Sequence, residues 1–155
     1  MKIVSGAQTG VDRAALDAAL ESGIEAGGWC PEGRKAEDGI IPEIYPVKSL
    51  PGAGYKKRTK KNVIDSDGTV IIYFSCPSGG TKQTLCFCIK ENKPYLLVDA
   101  EDTSIEQASE EIKKFIISQS IATLNVAGPR ASGEARGYQY TKQVIQRVLK
   151  STDLT

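Results

Sequence analysis

The chain has 155 residues, 40% of them hydrophobic and 25% charged, with a formal net charge of +1. That composition is globular, a domain of this length buries roughly 70% of its extended-chain surface, and a single domain over residues 1–155 is expected. Near-neutral charge excludes a global pull toward nucleic acid or an acidic membrane, so any electrostatic recognition must come from local clusters.

Lys2-Ile3-Val4-Ser5 reads as a buried strand. Val11 to Ser22 reads as a helix whose apolar face carries Val11, Ala15, Ala18 and Ala19, with Leu16 and Leu20 beside it, ended by Gly23 as a left-handed cap. A weak extended piece, Ile24 to Trp29, leads into a long irregular stretch from Cys30 to Gly54, rich in proline and glycine. An insert of that length in a small domain is commonly functional. Lys56 to Ile64 reads as a short helix, and Thr69 to Phe74 as a β-branched strand. After the loop Ser75-Cys76-Pro77-Ser78-Gly79-Gly80 a helix is expected from about Thr81 to Glu91, then a strand from Pro94 to Val98. Ser104 and Gln107 form a capping box that opens an amphipathic helix to about Ser118. Ala122 to Ala127 is the last strand, Gly128 to Gly137 a polar loop and Tyr138 to Lys150 the last helix, with fraying expected at the final residues. Strands that alternate with helices and are almost continuously apolar give a Rossmann-like α/β sandwich. Its mostly parallel sheet has about five or more strands, with helices on both faces.

The N-terminal "MKIVSGAQTG" lacks the apolar core of a secretory signal, and no apolar run approaches the ~20 residues that span a bilayer, so a cytoplasmic location is expected. In a reducing compartment Cys30, Cys76, Cys86 and Cys88 are most simply free thiols. No structural metal is expected. There is no histidine, and Cys86 and Cys88, two apart on a helix, point ~200° away from each other.

In an open parallel sheet, ligands bind beyond the carboxyl ends of the strands. Three strand-to-helix loops there are glycine-rich: Gly6 to Gly10, Ser78-Gly79-Gly80-Thr81, and Gly128 to Gly133 with Arg130 and Ser132. Each glycine can serve a tight turn; together the loops point to an anion or nucleotide-like ligand held by helix amides. Gln8 stands where a dinucleotide fingerprint needs its second glycine, and no G-K-[ST] follows, which argues against a P-loop ATPase. Asp12 either complements the helix dipole or belongs to the site. Arg13, a cation at a helix N-terminus, needs a partner, either Asp17 or a ligand anion. Trp29 is core or a stacking face, and Arg34 and Lys35 are solvated or contact phosphate. Cys30 is structural or a soft ligand for a metal-bearing cofactor. The run Lys56 to Lys61 reads as a solvated face, with Arg58 and Asn62 able to share an inward side.

The stretches "SGAQTGVDRAALDAAL", "GGWCPEGRKAEDGIIPEIYP", "YKKRTKKNVIDSDGTVII", "SGGT" and "NVAGPRAS" closely resemble the family named "putative molybdenum carrier", across nearly the whole chain. That family is similar in fold to Lonely Guy phosphoribohydrolases and to the Rossmann domain of DNA-processing proteins. The resemblance implies a small phosphorylated ligand at the glycine loops, molybdenum cofactor as a carried ligand, and a homo-oligomer, dimer or tetramer. It implies Gly6, Gln8, Thr9, Gly10, Asp12 and Arg13, with Gly79, Gly80 and Thr81, as contacts; Arg34, Ser78, Gly128, Arg130 and Ser132 complete the expected set. No membrane partner is expected and nucleic acid is disfavoured, although a nucleotide-sensing module, or a nucleic-acid-associated one using the run Lys56 to Lys61, is an alternative. A second alternative is a nucleoside-monophosphate phosphoribohydrolase. Those enzymes carry P-G-G-x-G-T-x-x-E, whereas Ser78 to Leu85 lacks both the third glycine and the glutamate, so no catalytic residue is assigned.

Overall fold

The structure, a computed structural model, describes residues 1–151. The fraying expected at the chain end falls on 152–155, outside the described residues. Strand β1 (Lys2–Val4) leads into helix α1 (Val11–Glu21), and β2 (Glu25–Gly27) follows. The insert then carries four two-residue strands, β3 (Trp29–Cys30), β4 (Lys35–Ala36), β5 (Gly39–Ile40) and β6 (Lys48–Ser49), with one 3-10 turn at Glu32–Arg34. Helix α2 (Tyr55–Asp65), β7 (Gly68–Tyr73), α3 (Gly79–Lys90), β8 (Tyr95–Asp99), α4 (Ile105–Ser118), β9 (Thr123–Ala127) and α5 (Gly137–Leu149) complete the chain.

Five strands form one parallel sheet in the order β2-β1-β9-β7-β8. The side-chain period of two sorts the sheet into two faces. Ile3, Val70, Ile72, Val98, Leu124 and Val126 pack into one core with α1, α4 and α5. Ile71, on the opposite face, packs with Val63 of α2 and with Phe87 and Cys88 of α3. The result is the three-layer, Rossmann-like sandwich expected from the alternating pattern. Ser104 accepts from the amide of Gln107, and the Gln107 side chain accepts from the amide of Ser104, so the capping box forms as its spacing predicts. No helix among the described residues is long and apolar enough to cross a membrane.

Beyond β2 the insert is a built element. Gly28, at φ 125°, allows β3 to turn out of the sheet; a Cβ there would lie 2.2 Å from the Ser5 carbonyl. Cys30, Ile41 and Val47 bury themselves against Ala7 and Leu16. Arg34 organises the path by donating to four backbone carbonyls, those of Ile41, Pro42, Tyr45 and Val47. Arg34, expected either to be solvated or to contact phosphate, thus spends its donors on the insert itself. Its guanidinium satisfies the carbonyls of Ile41, Tyr45 and Val47 and adds a second donor to that of Pro42, which already accepts from the Tyr45 amide.

Candidate functional site

Because β1, β7 and β9 run parallel, the three glycine-rich loops gather at one edge of the sheet. They meet where the chain leaves β1 toward β2 on one side and β7 toward β8 on the other. A cleft of about 440 Å³ opens there between α2 and α3, over the carboxyl half of β9. Nine of the residues expected from the sequence line it: Gly6, Gln8, Asp12, Ser78, Gly79, Gly80, Thr81, Gly128 and Arg130. Tyr55, Arg58, Thr59 and Asn62 of α2, Gln83 and Thr84 of α3, and Asn125 of β9 also line it.

Helix α3 turns an open N-terminus to the cleft. Ser78 is its N-cap residue but makes no side-chain capping bond, and the amides of Gly79 and Gly80 find no acceptor among the described residues. A Cβ at Gly80 would meet no protein atom within 4 Å. Neither internal packing nor a positive φ requires glycine there, so the glycine keeps the cleft wall thin. Across the cleft lies Arg58, only 9% exposed. Its Nη1 donates to Asp12 Oδ2 at 3.2 Å, while its buried Nε has no partner among the described residues. Gly6 makes that position possible: a Cβ on it would sit 1.6 Å from Arg58 Nη1.

Asp12, in the first turn of α1, is 5% exposed. Burial pushes its carboxyl above the ordinary range, and Arg58 and the Gln8 amide pull back against that shift. Asp12 is the one acid among the cleft-lining residues, and no cysteine lines it. The floor carries Asn125, whose amide donates to Thr69 Oγ1 at 3.2 Å across the β9–β7 pair. Asn62 is committed to structure. Its amide bonds both the N–H and the carbonyl of Trp29, which ties α2 to β3.

Five expected residues do not line the cleft. Arg13 turns away to form a bidentate pair with Asp38 of the insert, and its Nε donates to the Ala7 carbonyl. Its carboxylate partner is Asp38 and not Asp17, because the insert delivers that carboxylate to the α1 N-terminus. Asp17 instead accepts from the hydroxyls of Tyr45 and Tyr138. Thr9 donates to Glu37 and accepts from the Ala131 amide. Ser132 gives both its N–H and its hydroxyl to Glu37. Gly10, at φ 84°, lets the first loop meet the third, since a Cβ there would lie 2.6 Å from the Pro129 carbonyl. Arg34 lies in the insert, as described above. Trp29 does not line the cleft either; its indole donates to Asp65 and Lys61 lies over the ring.

The chain matches the model of the circularly permutated YpsA SLOG family over residues 3–149. A solved structure from Syntrophus aciditrophicus SB, named a putative molybdenum carrier protein, is 45% identical. The match covers 97% of this chain and 94% of that one, with a TM-score of 0.93. Among curated proteins none matches this chain.

Proposed function

The chain belongs to the circularly permutated YpsA SLOG family, and on that premise we propose that it binds and carries a small phosphorylated heterocycle, of pterin or nucleotide type, in the cleft between α2 and α3. One observation carries this reading. The uncapped N-terminus of α3, with two amides lacking acceptors, faces a buried guanidinium with a nitrogen lacking a partner. Helix amides and dipole favour an anion at that point, and an arginine lining the same cleft adds charge-assisted bonds. A cleft of about 440 Å³ falls within the range of small-ligand sites. The solved relative is named a molybdenum carrier, so molybdenum cofactor, a phosphorylated pterin, is the first cargo to test. The lining residues would hold it by its phosphate and ring, since they include no thiolate.

Calorimetric titration with molybdenum cofactor, and with GMP for comparison, tests the proposal. A Gly80→Asp variant separates binding from folding: an acid in the first turn complements the dipole and keeps α3 intact, yet repels a bound phosphate. Binding weakened at least tenfold with an unchanged melting temperature is expected. No binding of either ligand by the wild type, or undiminished binding by the variant, removes the reading.

A second reading, hydrolysis of the N-glycosidic bond of a nucleoside monophosphate, is favoured by Asp12 alone. It is a cleft carboxyl whose affinity for a proton is raised by burial. Release of free base from GMP, abolished in Asp12→Asn, would establish it; no turnover at high protein concentration ends it.

A further inference from the structure

The two edges of the sheet are finished differently. At one edge β2 is three residues long, carries Glu25 in an ion pair with Lys2, and passes directly into the insert. A short strand, a charge and a covering segment are the usual ways in which an edge is blunted. At the other edge β8 is five residues, Tyr-Leu-Leu-Val-Asp, with no lysine, glycine or proline inside it, and no further strand follows it in the sheet. The Thr69 amide donates to the Pro94 carbonyl and the Ala100 amide to that of Tyr73, which in the β7–β8 register turns Leu96 and Val98 toward β7. The N–H and C=O groups of Tyr95 and Leu97 therefore point out of the sheet, and they bond to nothing else among the described residues.

The side chains along this edge are apolar and open. Tyr95 stands beside Thr69 and Leu97 beside Ile71, so both project on the α3 face of the sheet, yet they are 40% and 37% exposed. Helix α3 gives Gln83 and Phe87 to the α2 side, which puts Leu85 and Ile89, one turn apart, on the flank toward β8. Ile89 is 59% exposed. Charge is segregated along the strand. Lys90 and Lys93 precede it, whereas Asp99, Glu101 and Asp102 close it and follow it. Glu101 is paired with Arg136 and Glu91 with Lys60, but Lys90, Lys93, Asp99 and Asp102 have no ion-pair partner among the described residues.

We propose that β8 is the self-association edge of this protein, pairing antiparallel with β8 of a second copy about a two-fold axis at Leu97. A parallel neighbour would set like-charged ends side by side. The antiparallel copy sets the lysine end of each strand beside the acidic end of the other, twice, as an isologous interface requires. With Leu97 on the axis, the two Leu97 residues exchange N–H and C=O bonds, because both face outward. Two residues on, the Asp99 N–H meets the partner's Tyr95 carbonyl. The exposed strips of Ile89, Tyr95 and Leu97 then come together on one face, and one sheet runs through both copies.

Light scattering on the full chain at micromolar concentration is expected to give twice the 16.7 kDa chain mass. Leu97→Lys puts two ammonium groups on the axis and should weaken self-association at least tenfold, with an unchanged circular-dichroism spectrum. A second variant does not depend on that one folding. In a Cys76→Ser/Cys86→Ser background, Leu97→Cys should form an intermolecular disulfide on oxidation with copper phenanthroline, since hydrogen-bonded antiparallel partners have Cα atoms about 5.5 Å apart. Ile44→Cys, equally exposed but in the insert, should not. A tetramer that falls to dimers in Leu97→Lys supports the proposal as well. A wild type that stays monomeric overturns it and leaves the edge to an extended segment of another protein. An assembly unchanged in Leu97→Lys, or cross-linking at Ile44→Cys as ready as at Leu97→Cys, places the interface elsewhere and overturns it equally.

Discussion

Removing the guanidinium in Arg58→Met tests the central pair of the cleft. Asp12 and Arg58 side chains are 7% and 11% exposed and meet at 3.2 Å, so the variant leaves a carboxyl buried without its cation. Breaking a buried pair from one side costs about 3–5 kcal/mol, which for a domain of this size lowers the melting temperature by roughly 6–20 °C. The loss depends on pH. Burial already raises the Asp12 carboxyl above its ordinary 3.8, and without Arg58 it rises further. A group with a raised folded pKa contributes fully below its unfolded pKa, and that contribution is lost as pH rises through the folded value. Arg58→Met should therefore lose less stability at pH 4 than at pH 8. Adding Asp12→Asn, which removes the buried charge, should recover most of the loss. Thermal unfolding by circular dichroism at the two pH values, completed as a double-mutant cycle, reads all three effects. Additive single substitutions, or a loss independent of pH, would refute the assignment of Arg58 as the counter-ion of Asp12.

Glu37 should act as a latch. Its bonds to Ser132 and Thr9 hold its carboxyl below the usual range, so its contribution is present above the unfolded pKa and lost as pH falls through the folded one. Hydrogen exchange at the Ala131 and Ser132 amides should accelerate in Glu37→Gln at neutral pH, and in the wild type only under acid conditions. Tyr45→Phe deletes a 2.8 Å bond to the Asp17 carboxylate and should cost about 1.5–3 kcal/mol in denaturant unfolding. Gly10→Ala combines φ 84° with a Cβ 2.6 Å from the Pro129 carbonyl. Backbone strain alone costs about 1–3 kcal/mol, and a melting temperature equal to that of the wild type would contradict the close approach of the two loops.

Much of the fold was legible because its signals are local. Ser104 and Gln107 are three residues apart, Gly23 lies two residues past the end of α1, and each strand keeps its own apolar run. The three glycine loops were legible as one edge because parallel strands must put them there. The choice of arginine was not legible. Arg13 stands beside Asp12 in a motif that looks like a site, whereas Arg58 stands in a basic run whose composition reads as solvated. Which of them faces the cleft depends on the path of residues 31–54. Arg34 fixes that path through four carbonyls, and Asp38 captures Arg13 from it. None of those contacts has a periodicity or spacing that a sequence pattern could show. One signal was present: Arg58 and Asn62, four residues apart on α2, share an inward side, and both are buried.

The insert also decides how many of the three loops remain open to a ligand. At α1 the Val11 amide donates to the Pro129 carbonyl and the Arg13 amide to that of Gln8. In the third loop the amides of Ala131 and Ser132 go to Thr9 and Glu37. Glu37 and Asp38, adjacent in the insert, thus act as internal anions for the first and third loops. At Ser78 to Thr81 no residue of the insert reaches in, and the amides of Gly79 and Gly80 stay unfilled opposite Arg58. A ligand phosphate at α3 would complete there what Glu37 and Asp38 supply at the other two loops. Three similar glycine signatures therefore differ in what reaches them: Glu37 and Asp38 of the insert fill the first and third loops, and the α3 loop is left unfilled, with the insert as the element that distinguishes them.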